Sequence, residues 1–328
     1  MNEGESAELR RTSLGLRSRP LLRFLIERTA RGRFGPYITP QTDERRRDPA
    51  EGLASGKREL EDGPSIFTRF AGGFGSSDLR GRRVLDVGCG YGGRTVYYAR
   101  ECGAAEAVGV EVTEEQVRRS RLLAEQLGVT NAAFELGTAE ELPFEDGSFD
   151  AVVSYDVLEH VDDPAAALAE TARVLREDGS AWLVFPTYLG ARSSHLDYLT
   201  LLPALHRVFD PATIIEVVNE QLARRPELRT PAQPPPHVGP FGRAVLPKLN
   251  GLAYADTRPL LRRAGLEVVQ ETVTPILDPE SKLPLGGRLS RVLSAWHERR
   301  GLPEILIGSI AIRARRSGPA SPRTVASD

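Results

Sequence analysis

A short stretch of the chain places an acid directly before a run of glycines. Residues 84–95 read VLDVGCGYGGRT, so Asp86 is followed by glycines at positions 88, 90, 92 and 93. Glycine at a strand-to-helix turn permits positive φ and lets bare backbone lie against a bound small molecule. Because ordinary tight turns use glycine for the same reason, the loop alone indicates only that a ligand could be held here.

Two acids near the loop bear on which ligand that would be. Gly88, Gly90 and Gly93 satisfy the Gly-x-Gly-x-x-Gly spacing of dinucleotide sites, which keeps a nicotinamide oxidoreductase as one hypothesis. Asp86 argues against it, since a carboxylate there opposes a diphosphate and suits a cationic or amine-bearing ligand. Glu111 lies 25 residues after Asp86, at the end of the next predicted strand, where it can accept hydrogen bonds from ribose hydroxyls.

The composition is that of an ordinary globular protein. The chain has 328 residues, 40% of them hydrophobic and 27% charged, which suits one large α/β domain with extensions. The formal net charge of −2 and the lack of a basic stripe argue against a nucleic-acid partner. The two cysteines, Cys89 and Cys102, have neither metal-type nor disulfide-type spacing and favour a reducing compartment. Without a signal-peptide pattern or a long apolar run, the sequence predicts a cytoplasmic protein with no membrane span.

Strand and helix patterns alternate through the middle of the chain. The predicted strands are 82–87, 107–112, 132–136, 149–154 and 181–185, and the predicted helices are 95–102, 113–127 and 163–178. Thr113 is the expected N-cap of the second helix, with Gln116 as its capping-box partner. This alternation predicts βαβ units in a doubly wound parallel sheet, where ligands bind outside the carboxyl ends of the strands.

Shifts in composition divide the chain into segments. They are 1–80, a partly helical N-terminal extension; 81–186, the cofactor-binding core; 187–250, an irregular, proline-rich lid or substrate insertion; 251–315, the rest of the core; and 316–328, a disordered tail. In the extension, residues 21–28 form an amphipathic pattern that either docks on the main domain or covers a membrane or substrate surface, and a second helical pattern spans 57–74. The remaining predicted elements are helices at 256–264 and 288–300 and strands at 266–273 and 305–313.

Several ordered motifs resemble class I S-adenosylmethionine-dependent methyltransferases. They are VLDVGCGYG (84–92), VGVE (108–111), EELPF (140–144), FDAVV (149–153), DVLEHV (156–161) and the helix-then-strand pattern of 172–185. The resemblance implies an α/β fold: a Rossmann-like, doubly wound, mostly parallel seven-stranded sheet with an N-terminal helical extension and a lid insertion after strand five. It also implies S-adenosylmethionine as the cofactor and S-adenosylhomocysteine as the product.

The resemblance also assigns a cofactor site. Its expected residues are Asp86, Gly88, Cys89, Gly90, Glu111, Val112, Thr138, Ala139, Glu140 and Tyr155. Asp86 would stand near the amino group of the cofactor, the glycines would line its methionine part, Glu111 would hold the ribose hydroxyls and Val112 would flank the adenine. Thr138 stands where the family often has an acid that reaches the adenine, so Glu140 is expected to share that contact.

Methyl transfer is an in-line displacement, so alignment of the acceptor and exclusion of water count for most, and a base is needed only for some acceptors. His160 and Tyr155 follow strand four and are expected near the reacting edge. Lids at this position commonly form the acceptor pocket in the family, which makes His195 and His206 candidate orienting residues or bases. Structural roles stay open for all three histidines, as a cap or packing group for His160 and as surface residues in the lid.

A metal site is the alternative for part of this set. Asp156-x-x-Glu159-His160 resembles the Glu-x-x-Glu-His metal cluster of ubiquinone-type O-methyltransferases and small-RNA terminal methyltransferases. Ligands at i, i+3 and i+4 would share one face of a helix. Because Asp156 is one methylene shorter than Glu, the preferred hypothesis assigns no metal ligands and keeps a divalent metal as the alternative.

The predicted function is transfer of a methyl group from S-adenosylmethionine to a small-molecule or saccharide-type acceptor, as in natural-product biosynthesis, with O-methylation favoured. The alternatives are a cofactor-binding partner or scaffold protein that does not methylate, and a metal-assisted O-methyltransferase that uses Asp156, Glu159 and His160. The expected partner is the acceptor alone, without nucleic acid, and a homodimer is left open.

Overall fold

The computed structural model describes residues 13–30, 49–70, 73–190, 193, 195–196, 199–200, 202–228, 230–275, 292–293, 296–297 and 301–317. The predicted tail beyond residue 317 and most of the predicted helix at 288–300 lie outside the described residues. In the described part of the chain, no helix is both long enough and apolar enough to cross a bilayer.

A seven-stranded sheet forms the centre of the fold. The strands in chain order are β1 (Arg83–Val87), β2 (Glu106–Glu111), β3 (Ala132–Leu136), β4 (Phe149–Tyr155), β5 (Leu175–Phe185), β6 (His237–Val238), β7 (Ala244–Val245), β8 (Leu266–Pro275) and β9 (Ile307–Arg316). The sheet order is β3-β2-β1-β4-β5-β9-β8, while β6 and β7 pair only with each other. Neighbouring strands from β3 to β5 are parallel, and β9 is antiparallel to both β5 and β8. The predicted Rossmann-like sheet is confirmed.

Helices cover the two faces of this sheet, and further helices lie in the N-terminal extension and in the lid. They are α1 (Arg19–Arg28), α2 (Pro49–Glu61), α3 (Ser65–Thr68), α4 (Gly93–Arg100), α5 (Glu114–Gln126), α6 (Pro164–Val174), α7 (Leu205–Val208), α8 (Pro211–Ala223) and α9 (Tyr254–Arg263), with short 3-10 turns at Ser76–Asp78, Pro226–Leu228 and Glu304–Leu306. The inner strands are buried almost throughout, as expected where helices pack on both faces of a parallel sheet.

The end of α6 differs from the prediction. The helix stops at Val174, because Leu175 already pairs with Phe149 and opens β5. The register then shifts so that Ser180 pairs with Ala151, which leaves an irregular segment between them. Gly179 is therefore a residue of this irregular segment, where a Cβ would lie 2.9 Å from the carbonyl oxygen of Arg176.

The N-cap of α5 also differs in detail. Thr113 is the N-cap residue, as predicted, but its hydroxyl hydrogen-bonds the side chain of Gln116 at 2.5 Å instead of a backbone N–H. The predicted capping box was therefore wrong, although the predicted start of the helix was right.

The lid is more regular than predicted. It contains the 13-residue helix α8, whose N-cap Asp210 accepts hydrogen bonds from the backbone N–H groups of Ala212 and Thr213 at 3.1 and 3.3 Å. An Asp-Pro pair before an apolar stripe was the signal in the sequence for this start. The amphipathic helix α1 docks on the lid, where Leu22 and Ile26 join the core formed by α8 and its neighbours.

Candidate functional site

The glycine loop follows β1 and enters α4. Gly88, Gly90 and Gly92 have φ of +71°, +60° and +80°, in the left-handed region that glycine adopts without strain. A Cβ on Gly92 would lie 2.6 Å from the Cβ of Ser120 and 2.7 Å from the Phe134 ring. Packing against Ser120 and Phe134 thus holds the loop in place. A ligand at the loop would meet the backbone of the glycines and the carboxylates around them.

Asp86 lies under this loop and is buried, with 3% of its surface exposed. The Thr95 hydroxyl donates a hydrogen bond of 2.7 Å to its Oδ2 atom. The pKa of Asp86 is raised to about 6, chiefly by burial and also by the negative charge of Glu111, while the Thr95 hydrogen bond and the Arg94 charge act in the opposite direction. The site therefore holds a carboxylate whose charge is only partly compensated by protein groups.

Glu111 connects the end of β2 to the loop. Its carboxylate accepts hydrogen bonds from the N–H of Gly90 at 3.1 Å and from the N–H of Val112 at 2.8 Å. The side chain of Val112 beside it is 59% exposed. The structure thus brings Asp86, the loop glycines, Glu111 and an open apolar side chain to one edge of the sheet.

The other predicted cofactor residues occupy several environments. Cys89 is buried beneath the loop, and a Cβ on Gly109 would lie 2.7 Å from its sulfur, so Cys89 offers only its backbone to the site. Thr138 accepts a hydrogen bond from the N–H of Glu141 at 3.1 Å, in the turn after β3 that also holds Ala139. Glu140 accepts a hydrogen bond of 2.8 Å from the N–H of Asp162, which ties this turn to the segment before α6.

Sequence reasoning missed one acid at the loop. Glu59 on α2 accepts hydrogen bonds from the backbone N–H groups of Tyr91, at 3.1 and 3.2 Å, and of Gly93, at 3.1 Å. The helical pattern at 57–74 gave no sign that a side chain from this segment would reach the loop, because the contact depends on how α2 crosses α4. Three carboxylates therefore border the loop, an environment that disfavours a diphosphate and fits a cationic ligand.

A second group of side chains lies beyond the end of β4. Glu159, His160 and His195 each place a ligand atom within 4.8 Å of the others. Both carboxylate oxygens of Glu159 are buried without a hydrogen-bond partner among the described residues, and burial raises the pKa of this acid well above its usual range. Burial also lowers the pKa of His195 to about 4, so its imidazole is neutral near neutral pH.

The predicted helical trio was wrong in its geometry. Residues 157–160 form a turn, and Asp156 has a φ of +56°, so Asp156, Glu159 and His160 do not share one face of a helix. Asp156 instead lines the adjoining cavity, and His195 from the lid completes the cluster.

The backbone around this cluster is unusual. Among the described residues, four that are not glycine have positive φ, namely Asp156, His195, Ala204 and Lys248. Three of these four surround the cluster, since Asp156 lines its cavity, His195 belongs to it, and the Lys248 carbonyl contacts His160. Such conformations cost about 1–3 kcal/mol each and gather at functional sites.

The Lys248 carbonyl fixes the proton position on the neutral His160 ring. Nδ1 of His160 lies 2.6 Å from this oxygen, and because a carbonyl oxygen can only accept, Nδ1 must donate. Nε2, the other ring nitrogen, faces Glu159 and lies 3.7 Å from its Oε1 atom.

Asn250, at the end of the lid, clamps the turn that carries Glu159. Its side-chain N–H groups donate to the carbonyls of Leu158 and Val161 at 2.7 and 2.9 Å, and its backbone N–H donates to the carbonyl of Glu159 at 2.9 Å. Its Oδ1 accepts from the N–H of Leu252 at 2.9 Å. The lid and the turn are therefore one hydrogen-bonded unit.

A cavity of about 270 Å³ opens beside this unit. Its polar lining comes from five parts of the chain and includes Arg69, Tyr155, Asp156, Glu159, His195, Thr274 and Ser309. The Arg94 guanidinium lies over the Tyr155 ring at 4.3 Å, which links the cavity wall to α4 and the glycine loop. The cavity is polar enough to take a hydroxyl-bearing molecule and has neutral imidazole and carboxyl groups at its wall.

His206 takes a different place from His195. It is fully buried in the lid, its Nε2 lies 2.7 Å from the carbonyl oxygen of Tyr188, and burial lowers its pKa to about 4. It is not among the residues that line the cavity. Of the three predicted histidines, the structure thus brings His160 and His195 together and holds His206 in the packing of the lid.

Comparison with known proteins identifies the central part of the chain. Residues 85–183 match a family described as a methyltransferase domain. Over 105 residues, the chain is 41% identical to the uncharacterized methyltransferase YcgJ of Bacillus subtilis (strain 168), which covers 31% of this chain and 40% of that protein. Over 106 residues, it is 41% identical to a ubiquinone biosynthesis O-methyltransferase of Neisseria meningitidis serogroup C (strain 053442), which covers 32% of this chain and 44% of that protein. The chain contains a class I S-adenosylmethionine-dependent methyltransferase domain.

The fold of this chain is also found in a solved complex between the Haloferax volcanii Trm112 methyltransferase activator and a methyltransferase. The TM-score is 0.51 at 18% identity, and the match covers 85% of this chain and all of that one. At this identity the likeness concerns the fold alone. The chain spans less than half the length of the curated relatives it matches.

The residues of the two sites lie partly inside and partly outside the region of the family match. The glycine loop, Asp86 and Glu111 all lie inside the matched residues 85–183, as do Glu159 and His160. His195, Lys248 and Asn250 come from the lid, and Glu59 comes from the N-terminal extension, so all four lie outside them. The matched domain therefore contains the glycine loop with Asp86 and Glu111, and segments outside the match contribute the remaining side chains at both sites.

Proposed function

We propose that this protein transfers a methyl group from S-adenosylmethionine to an oxygen atom of a small-molecule or saccharide-type acceptor. The observation that carries the proposal is the position of a polar cavity, walled by His195 and Glu159, beside a glycine loop bordered by Asp86 and Glu111. The acids suit the sulfonium and amino groups of the cofactor, and the cavity suits an acceptor hydroxyl. Tyr155 joins the two, because it lines the cavity and contacts Arg94 of α4.

Each part of the site has a role in this proposal. S-adenosylmethionine, when bound, supplies a methyl group activated by the sulfonium. Asp86 holds negative charge beside the cationic end, and Glu111 takes the ribose hydroxyls. The lid shields the cavity from water, and the neutral imidazole of His195 accepts the proton of the acceptor hydroxyl. Positioning supplies most of the acceleration, and the base adds to it.

Oxygen is favoured as the methylated atom for two reasons. A hydroxyl needs a proton acceptor at the moment of transfer, and the imidazole of His195 at the cavity wall is neutral near neutral pH and can accept that proton. One of the relatives is named as a ubiquinone biosynthesis O-methyltransferase, although it shares only the central domain with this chain.

The proposal is tested in two steps. Titration calorimetry first measures binding of S-adenosylmethionine and S-adenosylhomocysteine to the full chain. Cofactor with an isotopically labelled methyl group is then offered with panels of phenols, hydroxy acids, glycosides and amines, and the products are separated by mass. Label on an oxygen supports the proposal, whereas label on nitrogen or carbon contradicts O-methylation.

A protein that binds the cofactor without methylating is the alternative from a different class. It would bind S-adenosylmethionine in the calorimetric test and transfer no label to any panel. Replacing His195 distinguishes a scaffold protein from an enzyme. In a scaffold protein the variant keeps its affinity for the cofactor and there is no turnover to lose, whereas in an enzyme the variant loses turnover.

A metal-assisted O-methyltransferase is the second candidate, with ligands corrected to Glu159, His160 and His195. Their ligand atoms lie within 4.8 Å of one another, and the Nδ1–H of His160 donates to a backbone carbonyl, as is usual for a metal-binding histidine. A carboxylate and two neutral imidazoles fit a divalent cation such as Zn²⁺. The metal would hold the acceptor oxygen and favour its deprotonated form.

Removal of the metal tests this candidate. Transfer should fall after dialysis against a chelator and return with Mg²⁺ or Zn²⁺, and Zn²⁺ binding measured by calorimetry should be lost in His195→Ala. Transfer that is indifferent to the chelator would eliminate the metal and leave the imidazole as the base.

A further inference from the structure

The N-terminal extension contributes a charged side chain to the edge where the methyltransferase domain holds its cofactor. Glu59 accepts hydrogen bonds from the N–H groups of Tyr91 and Gly93, which are the last loop amides before α4 turns regular. A Cβ on Gly90 would lie 2.9 Å from its Oε1 atom. The carboxylate therefore lies directly against the loop between Gly90 and Gly93.

The close approach of α2 to the loop depends on two glycines. A Cβ on Gly93 would lie 2.1 Å from the carbonyl oxygen of Gly56 and 2.5 Å from the backbone nitrogen of Leu60. A Cβ on Gly56 would lie 3.0 Å from the carbonyl oxygen of Tyr91. Any larger residue at either position would push α2 away, so the sequence keeps this helix in backbone contact with the loop.

The charges around Glu59 leave an excess of negative charge. Asp86 on β1 and Glu111 on β2 are the acids of the neighbouring strands. The nearby cations have partners of their own: Arg94 on α4 lies 3.5 Å from Asp62, and Arg119 on α5 lies 2.6 Å from Glu115.

The protonation of Glu59 reflects that excess. The pKa of Glu59 is raised to about 7, chiefly by burial and to a smaller extent by the charge of Asp86. The hydrogen bonds from Gly93 and Tyr91 and the charge of Arg94 lower it without cancelling the effect of burial. A carboxylate that served only to cap α4 would be expected to ionise easily, because a helix N-terminus favours negative charge. The Arg94 guanidinium that opposes the effect of burial on Glu59 is shared with Asp86 and Asp62.

We propose that Glu59 is a cofactor-binding residue that the N-terminal extension adds to the methyltransferase domain, where its carboxylate supplies negative charge for the cationic methionine end of S-adenosylmethionine. This inference rests on the proposed function, which names that cofactor. Binding of the cation then favours the ionised form of Glu59, so cofactor affinity and proton release are coupled. Residues 85–183 alone would lack this contribution.

Calorimetry on the full chain tests the proposal with three variants. Glu59→Gln keeps an oxygen that accepts the loop hydrogen bonds but removes the charge, and it should weaken S-adenosylmethionine binding by about tenfold. Glu59→Ala removes both and should weaken it more. Glu61→Gln, an exposed acid on the same helix, should bind as the wild type does. Binding measured at about pH 6.5 in two buffers of different ionisation heat should show fewer protons released by Glu59→Gln than by the wild type.

The outcomes separate this inference from the proposed function. A wild-type chain that fails to bind S-adenosylmethionine overturns the proposed function and this inference with it. A wild-type chain that binds, together with a Glu59→Gln variant that binds equally well and releases as many protons, overturns the inference alone. Circular dichroism and thermal unfolding of each variant show whether the change acts on the fold, which Glu59→Gln should leave close to that of the wild type.

Discussion

The glycine loop is one continuous stretch of backbone, residues 88–93, whereas the cluster of Glu159, His160 and His195 depends on side chains from separate segments. The loop conformation comes from positive-φ glycines packed over Phe134 and Ser120, so few changes there are tolerated. The cluster is held from the lid by the Lys248 carbonyl and by Asn250. The loop therefore forms within one local segment, whereas the cluster needs the lid to fold against the turn that carries Glu159.

The polar groups of the two regions also differ in how fully they are partnered. Asp86 accepts from Thr95, and Glu111 accepts from two backbone N–H groups. Glu159 has no hydrogen-bond partner for either carboxylate oxygen among the described residues. A buried polar group without a partner is costly unless a ligand, a proton or an ion completes it. The acids at the loop thus have hydrogen-bond partners within the fold, whereas Glu159 is left to be completed by a proton, an ion or a ligand.

The first prediction, which has the largest expected effect, tests whether the packing around Gly92 matters in addition to the strain of its positive φ. Gly92→Ala should abolish cofactor binding and lower the free energy of unfolding by about 3 kcal/mol or more, because it adds strain at positive φ and a clash with Ser120 and Phe134. Gly128→Ala is the matched control, since Gly128 has a φ of +65° with nothing within 4 Å of the added Cβ. It should lower the free energy of unfolding by about 1 kcal/mol and leave binding unchanged.

Urea unfolding followed by circular dichroism measures both variants, and calorimetry measures their affinity for S-adenosylmethionine. Equal losses in Gly92→Ala and Gly128→Ala would show that φ alone matters, and that the loop is not held by its packing.

The second prediction concerns the charge at the loop. Asp86→Asn should weaken cofactor binding by about tenfold to hundredfold, because a buried carboxylate that faces a cation is lost. The same change should stabilise the free protein above pH 6, since burial raises the pKa of Asp86 from 3.8 to about 6. The neutral form of the wild-type acid is favoured in the fold, so wild-type stability is fully present below about pH 4 and is lost as the pH rises through about 6.

Unfolding curves between about pH 4 and pH 8 measure this effect. The variant should gain up to about 3 kcal/mol over the wild type at the upper end and nothing at the lower end. Glu125→Gln, an exposed acid on α5, serves as the control and should show no such window. If the free energy of unfolding changed with pH in the same way for Asp86→Asn and the wild type, the prediction that burial raises the pKa of Asp86 would be wrong.

The sequence predicted the loop better than the cluster, and the reason is physical. Asp86, the glycines and Glu111 follow strands whose buried apolar runs fix where they end, so their meeting at one sheet edge follows from local pattern. The partnership of His195 with Glu159 depends on the course of the lid, which the proline-rich composition left open. Glu59 was missed for the same reason, because helix α2 reaches the loop by packing that two glycines permit.

The third prediction tests the side chains of the cluster. His195→Ala should lower the rate of methyl transfer by about hundredfold, because it removes an imidazole from the wall of the acceptor cavity. Affinity for S-adenosylmethionine should not change, since His195 lies apart from the glycine loop. His237→Ala, an exposed lid histidine, should keep the full rate. Turnover of the acceptor found in the labelling screen provides the measurement, and an unchanged rate in His195→Ala would remove it from the mechanism.

The smallest expected effect concerns Asn250, which contacts the cluster only through backbone. Asn250→Leu leaves the carbonyls of Leu158 and Val161 without their donors, so the turn that carries Glu159 should loosen. The rate of methyl transfer should fall by about tenfold, since a small misplacement of a reacting group has that order of effect. The KM for S-adenosylmethionine should stay constant, because the loop is unaffected.

Asn219→Leu separates positioning from general weakening of the lid. Asn219 donates to the backbone carbonyl of Gln233 at 2.9 Å and accepts from its backbone N–H at 2.6 Å, and both residues lie within the lid. Both variants should lose stability, by about 1–3 kcal/mol for the unpaired groups, but only Asn250→Leu should lose turnover. If both lose turnover equally, Asn250 acts through lid stability, and the unit that joins the lid to Glu159 has no separate part in positioning the cluster.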